Sequence, residues 1–310
     1  MIPREHRLLL EKKGYKLVGR HSAVKPCTWL HKSLFDKGYC YKQKFYGIQS
    51  HRCLQCTPAV AWCKHSCLFC WRPLETTQPG NIPEEDEPEF IAEGMIKAQR
   101  EFLSGYHNAR GINEKKLKEA MNPNQVALSL AGEPTTYSRI GELIDVFKKR
   151  NCTTFLVTNG TNPQALKKLR DNNQLPTQLY LTIAAPDYET YLRTCAPRVD
   201  SWKEINESLE LFPSLNTRKV IRLTLVKGLN MHNPEGYAEL IRKGKPDWVE
   251  AKAFMSVGSA RERLPYTSMP LHSEIKEFGL KIAKLLGIKL LNEKEDSRVC
   301  LFGNRDPALK

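Results

Sequence analysis

The chain has 310 residues, a formal charge of +14 and 41% hydrophobic residues. That is enough for a sizeable core and too apolar for global disorder. No apolar run approaches the roughly 18–20 residues of a membrane span, and the start, Met-Ile-Pro-Arg-Glu-His-Arg, lacks the basic-then-apolar pattern of an export signal. A cytoplasmic, reducing location is expected, where clustered cysteines point to metal or redox chemistry rather than disulfides. Charge and thiols are concentrated. Residues 1–80 carry +10 and hold seven of the ten cysteines and ten of the 27 aromatics.

In chain order, residues 57–62 read as a first strand directly before Cys63. Residues 79–88, with the acidic run Glu84, Glu85, Asp86, Glu87, read as a solvated loop or linker. A helical pattern follows over about 90–102, then a charged stretch over 108–122. Residues 126–130 read as a buried strand. Ile140, Leu143, Ile144 and Phe147 sit at helical spacing after Ser138, a fitting N-cap. Strands over 153–158, 179–183, 220–226 and 248–254 alternate with helical patterns over 163–170 and 202–212. A late helix carries Ile275, Phe278, Ile282 and Leu285. Six strands alternating with helices predict a parallel α/β sheet. Right-handed crossovers wind such units into an open or partly closed barrel. Ligand loops then lie at the carboxyl ends of the strands, which puts the cysteine loop beside the Gly132, Asn159 and Pro186 loops.

The cysteines admit three readings. Cys63-x3-Cys67-x2-Cys70 places three thiols on one short loop, a spacing suited to three irons of a [4Fe–4S] cluster with the fourth iron open. Phe69 adds an aromatic face beside it. Alternatively Cys53-x2-Cys56 and Cys67-x2-Cys70 form a four-thiolate zinc site in a non-catalytic RNA-binding module. Buried free thiols are a third reading, and the best one for Cys152, Cys195 and Cys300. Cys27, Cys40 and Cys53 remain as candidates for a second cluster, with Cys56 spare.

Cys63-x3-Cys67-x-Phe69-Cys70 resembles the signature of radical S-adenosylmethionine (SAM) enzymes, and Leu130-Ala131-Gly132-Glu133-Pro134-Thr135 resembles their Gly-Gly-Glu motif, with Ala131 in place of the first glycine. More closely, the chain resembles the archaeal-type tRNA 4-demethylwyosine synthases over about residues 1–302. Matching stretches include Ala23-Val24-Lys25-x-Cys27, the run from Cys40 to Gly47, His51-Arg52-Cys53-x-Gln55-Cys56-Thr57-Pro58, and Glu295-Asp296-Ser297-Arg298-Val299.

The resemblance implies a partial (β/α)6 barrel over 57–260, an N-terminal basic segment over 1–56 carrying a second cysteine triad, and a C-terminal helix and strand over 261–310 completing the same domain. It implies two [4Fe–4S] clusters, at Cys63, Cys67, Cys70 and at Cys27, Cys40, Cys53. It implies SAM contacts at Gly132 and Glu133. Thr158, Asn159 and Thr182 are added from their strand positions. The implied reaction joins N1-methylguanosine-37 in the anticodon loop of tRNA(Phe) to carbons 2 and 3 of pyruvate, giving tricyclic 4-demethylwyosine. A C–H bond as inert as that methyl group needs a cofactor-derived radical. Pyruvate is expected either on the open iron of the second cluster or as a Schiff base on a lysine. Lys42 is the favoured lysine and Lys44 the runner-up.

Lys12, Lys13, Lys16, Arg20, Lys42, Lys44, Arg52 and Arg72 are candidate phosphate contacts, and Trp29, Tyr41, Tyr46 and Trp71 candidate base stackers. Eukaryotic relatives carry a flavodoxin-like domain for which this chain is too short. A separate flavodoxin or ferredoxin is therefore expected as electron donor, and the enzyme as a monomer without a membrane partner. A radical SAM enzyme acting on another RNA or protein substrate is the main rival.

Overall fold

The computed structural model describes residues 2–309. Helix α1 (Arg4–Lys12) leads into the hairpin of β1 (Lys16–Val18) and β2 (Ser22–Val24). Two short helices follow, α2 (Thr28–Leu34) and α3 (Tyr41–Tyr46), then β3 (Cys53–Thr57). Next come α4 (Pro88–Ser104), α5 (Glu114–Ala120) and β4 (Gln125–Leu128). The alternation then continues with α6 (Ile140–Lys149), β5 (Thr153–Thr158), α7 (Pro163–Asp171) and β6 (Gln178–Ile183). Helices α8 (Tyr188–Cys195) and α9 (Trp202–Leu211) precede β7 (Arg218–Leu225), and α10 (Pro234–Gly244) precedes β8 (Trp248–Ala253). Helix α11 (His272–Leu286) and the hairpin of β9 (Lys289–Lys294) and β10 (Val299–Gly303) end the chain.

The strands form one sheet in the order β1-β2-β3-β4-β5-β6-β7-β8-β10-β9. The six from β3 to β8 run parallel, and antiparallel β2 and β10 flank them. This is the expected six-strand unit of a partial barrel with additions at both ends. Period-2 alternation divides the side chains between two cores. Leu54, Cys56, Val126, Leu128, Leu156, Leu179, Leu181, Ile221 and Val249 face the helices. Phe155, Tyr180, Val220, Trp248, Val299 and Leu301 face inward, where they pack on Tyr41, Phe45 and Tyr46 of α3. Helix α3 of the N-terminal segment therefore plugs the lumen, while β1 and β2 extend the sheet edge and α2 packs against α4 and α5.

Two local expectations are corrected. The first parallel strand is β3, over Cys53–Thr57, not 57–62. Pro58 cannot donate to a ladder, so the strand stops there and the chain turns toward the cysteine loop. Residues 79–87 form a loop, but a tethered one, and Pro88 opens α4. Asp86 accepts from the Arg20 N–H at 2.7 Å and its carbonyl from the Tyr137 hydroxyl at 2.8 Å. Glu85 takes both the N–H and the hydroxyl of Ser138. Ser138 is thereby diverted from capping, and α6 begins after Arg139 with no side-chain cap.

Candidate active site

The Cys63–Cys70 loop is held by backbone bonds on both sides. The Cys63 N–H donates to the Gln78 carbonyl at 3.0 Å, while Ser66 N–H and Leu68 N–H donate to the Cys195 and Thr194 carbonyls at the end of α8. Arg263 clamps the loop by donating to the carbonyls of Leu68 and Cys70. Phe69 packs partly buried between two apolar clusters. The loop follows β3 by six residues and lies beyond the carboxyl ends of the strands, as anticipated.

Three thiols of this loop could hold three irons. The Cys63 sulfur accepts from the His65 N–H at 3.4 Å and from the Asn159 amide at 3.5 Å. Burial pushes the Cys63 thiol up to about 12. Cys67 is raised by its thiol neighbour Cys195 and by burial. Thiols this reluctant to ionise release their protons when a metal takes them. The fit to an anionic metal–sulfur group comes from Arg72. This side chain is fully buried, and its Nε and Nη1 atoms have no hydrogen-bond partner among the described residues. Burial opposes its charge, but Cys70, Cys63 and Tyr15 outweigh that and hold its pKa up. A buried guanidinium with free donors facing three thiols is suited to a cluster carrying negative charge.

Gly132 and Glu133 close the other side. Gly132 has φ +68°, and a Cβ there would run into the Ala59 carbonyl and crowd that of Trp62. Only glycine lets the β4 exit touch the segment that leads into the cysteine loop. The buried Glu133 carboxylate accepts from Thr135 N–H at 3.1 Å and hydroxyl at 2.7 Å, from the Thr158 hydroxyl at 2.8 Å and from Asn159 N–H at 2.8 Å. Burial raises its pKa and these four donors oppose the rise. Glu133 thus joins the β4 and β5 exits. Thr182 faces the lumen from β6, opposite Arg222.

The second triad is assembled from three elements. Cys27 precedes α2, Cys40 precedes α3 and Cys53 opens β3. They are near enough to influence one another electrostatically. Burial raises Cys27, takes Cys40 up to about 11 and raises Cys53 further, with Cys27 adding to both. Cys56 takes no part. Three residues along a strand from Cys53, it faces the opposite side, buried in the outer core. A zinc site using both Cys53 and Cys56 is therefore not formed.

Lys42 is buried in the lumen, with Nζ 5.2 Å from the Phe155 ring and 5.0 Å from the Tyr180 ring. Burial and then Arg222 lower its pKa, against Cys40, Cys53 and Glu250. Beneath it lies a buried ionic floor. Arg222 pairs with Glu250 at 2.9 Å, and Glu250 also accepts from the Tyr46 hydroxyl at 2.6 Å and the Tyr41 hydroxyl at 3.3 Å. Lys252 shares this lumen, lowered to about 8 by burial and Arg222. Lys44, by contrast, is exposed and donates to the Glu293 carbonyl.

Several nucleic-acid expectations are corrected. Lys42 and Arg72 are buried and cannot meet phosphates, and Tyr41 and Tyr46 are buried and cannot stack on a base. Lysines 32 and 294 lie over the Trp29 ring. Trp71 is exposed. Lys12 and Arg20 are exposed, although Arg20 is paired with Glu84 and Asp86. Lys13 pairs with Glu262 and Lys16 with Glu101, and Arg52 donates to the Asn122 carbonyl. Sequence reasoning missed Arg222, Glu250 and Lys252. Their signal is a charge at an inward position of an otherwise apolar strand, at 222, 250 and 252.

A partial parallel barrel with a three-thiol loop beyond its first strand defines a radical SAM enzyme. The family profile described as the radical SAM superfamily matches residues 58–241, and one described as wyosine base formation matches 243–304. An S-adenosyl-L-methionine-dependent tRNA 4-demethylwyosine synthase of Pyrococcus abyssi is 51% identical over 98% of this chain and 90% of its own length. A solved structure described as TYW1 with a lysine–pyruvate adduct bound is 37% identical with a TM-score of 0.90, and one of archaeal TYW1 is 34% identical with a TM-score of 0.82; each alignment covers 100% of both chains. The chain belongs to the S-adenosyl-L-methionine-dependent tRNA 4-demethylwyosine synthase family. Membership brings SAM and a [4Fe–4S] cluster as cofactors. No helix among the described residues is long and apolar enough to cross a membrane.

Proposed function

We propose that the enzyme joins N1-methylguanosine-37 of tRNA(Phe) to carbons 2 and 3 of pyruvate, forming 4-demethylwyosine. In this reading Cys63, Cys67 and Cys70 hold the radical-generating cluster, and Cys27, Cys40 and Cys53 hold a second one. Bound SAM and its cluster supply the 5′-deoxyadenosyl radical that activates the methyl C–H bond. Phe69, Gly132, Glu133, Thr158, Asn159 and Thr182 form or brace the SAM pocket.

The observation that carries the reading is the seat of Lys42. A lysine becomes a nucleophile when burial and nearby cations keep it neutral. Lys42 has both influences, lies beside the second triad, and has an aromatic wall that excludes water. Its Nζ attacks C2 of pyruvate, and loss of water leaves an imine. The positive charge of Lys252 suits the carboxylate of the bound acid. The lysine–pyruvate adduct named for the structural relative supports this assignment. Lys252 replaces Lys44 as the alternative amine, because Lys44 lies outside the lumen.

Borohydride trapping with labelled pyruvate should label Lys42, and Lys42→Ala should abolish both labelling and product. Full labelling of the Lys42→Ala protein would reject Lys42. Methylated tRNA(Phe), pyruvate, SAM and a reductant should give the tricyclic nucleoside by mass analysis. Its absence from cluster-replete protein would reject the reaction.

A further inference from the structure

Asn159 is the first residue after β5, and both polar atoms of its side chain have partners. Oδ1 accepts from the Thr161 N–H at 3.1 Å and from the Thr161 hydroxyl at 2.8 Å. Two donors meeting one atom fix that atom as the oxygen, because a flipped amide would set its NH2 against them. Nδ2 therefore points the other way. It lies 3.5 Å from the Cys63 sulfur and 3.5 Å from His65 Nδ1, one acceptor for each of its hydrogens. The His65 ring proton then sits on Nε2, which meets the Tyr191 hydroxyl at 3.1 Å.

The backbone around this amide is held on both sides. Asn159 N–H donates to Glu133 at 2.8 Å, and the next carbonyl, of Gly160, accepts from the Ser208 hydroxyl on α9 at 2.7 Å. Gly160 has φ +77°, and a Cβ there would come within 2.7 Å of Leu181 Cδ1. Glycine is what lets the chain turn this tightly after Asn159. The Cys63 sulfur thus receives two N–H donors, the other being the His65 backbone at 3.4 Å. The Asn159 amide is the one that a substitution can remove.

We propose that Asn159 is a positioning residue that raises the reduction potential of the radical-generating cluster, by donating an amide hydrogen to the Cys63 sulfur. The proposal rests on the reading of Cys63 as an iron ligand. In the reduction step a one-electron reductant such as dithionite is oxidised, and the iron–sulfur group gains the electron. Part of the added negative charge falls on the ligating sulfurs. No proton moves and no bond to Asn159 breaks. A donor aimed at such a sulfur favours the reduced form, and hydrogen bonds to the sulfurs are among the levers that set the potential. Outer partners of metal ligands tune a site in this way.

The test is a potentiometric titration of the cluster-loaded full chain without SAM, at about pH 8, well above the carboxylate range. Electron paramagnetic resonance follows the reduced signal that a later addition of SAM alters. At the potential where the unaltered protein is half reduced, Asn159→Asp should lower the ratio of reduced to oxidised cluster about tenfold, which is 59 mV for a one-electron couple. Asn159→Ala loses the donor without adding a charge and should lower the ratio by a smaller factor. Asp is isosteric with Asn and keeps an oxygen for both Thr161 donors. A role confined to bracing the loop therefore leaves the potential of Asn159→Asp unshifted, and that result would overturn the proposal. So would an unshifted potential with weakened SAM binding, which would make Asn159 a SAM contact only. Loss of about four irons from Asn159→Asp would overturn it too, because the amide would then assemble the site. The ligand reading is checked separately by iron analysis. A Cys63→Ala protein with its full iron content would sink that reading and the proposal with it.

Discussion

The two cysteine triads are built in opposite ways. Cys63, Cys67 and Cys70 share one loop of eight residues, fixed by backbone bonds to α8 and by Arg263. Their spacing is written in the sequence, and their neighbour Arg72 provides a buried positive charge with free donors. Cys27, Cys40 and Cys53 come from the starts of α2, α3 and β3, and converge because α3 fills the barrel. The first site depends on local geometry and the second on the packing of the whole lumen. The chemistry divides the same way. The three-thiol loop lies at the strand ends, whereas Lys42 is buried in the lumen against aromatic rings.

The largest expected effect breaks the pair into separate functions. Replacing Cys63, Cys67 or Cys70 by Ala should remove about four irons and abolish SAM cleavage altogether. Replacing Cys27, Cys40 or Cys53 by Ala should also remove about four irons, abolish the tricyclic product, and leave reductive SAM cleavage running. Iron analysis and deoxyadenosine formation read the two outcomes. Loss of SAM cleavage in both sets would mean that the triads do not divide the work.

A smaller effect tests how far the second site depends on the lumen. Glu250→Gln leaves Arg222 buried without its counter-charge, and breaking one side of a buried pair costs about 3–5 kcal/mol. Chemical unfolding should show that loss. Borohydride trapping at Lys42 should fall with it, while SAM cleavage per folded molecule should persist. Arg222→Met with Glu250→Leu should recover much of the stability without restoring trapping. If the double variant traps pyruvate normally, the ionic floor is structural and does not position Lys42.

The sequence was most legible where spacing along the chain equals spacing in space. The three-thiol loop, the six alternating strands and the Gly132-Glu133 exit follow from local pattern. The role of Arg72 was not legible, because an arginine two residues after Cys70 in a basic segment looks like a phosphate contact. Its burial depends on Tyr15 and on a loop closed by Gln78 and Ala61. Tyr41 and Tyr46 misled for the same reason. Their inward direction is set by a six-residue helix inserted in a barrel that forms from strands far along the chain. Arg222 pairs with Glu250, 28 residues later, only once β7 and β8 are in register.

The smallest effect sharpens the comparison at a single strand. Cys53 and Cys56 begin and nearly end β3, and their thiols lie on opposite faces of the sheet. Cys56 is fully buried among Leu54, Val126 and Leu128 in the outer core. Burial pushes its thiol well up, with Cys53 adding to the rise. As a small buried hydrophobe, it should cost only about 0.5–1.5 kcal/mol when trimmed by one heavy atom to Ala, on the scale of Ile→Val changes. Iron content and product should be unchanged in Cys56→Ala, whereas Cys53→Ala should lose the second site. A loss of about four irons on Cys56→Ala, with none on Cys53→Ala, would mean that β3 presents its other face to the metal. The lumen would then have to be repacked around a different thiol.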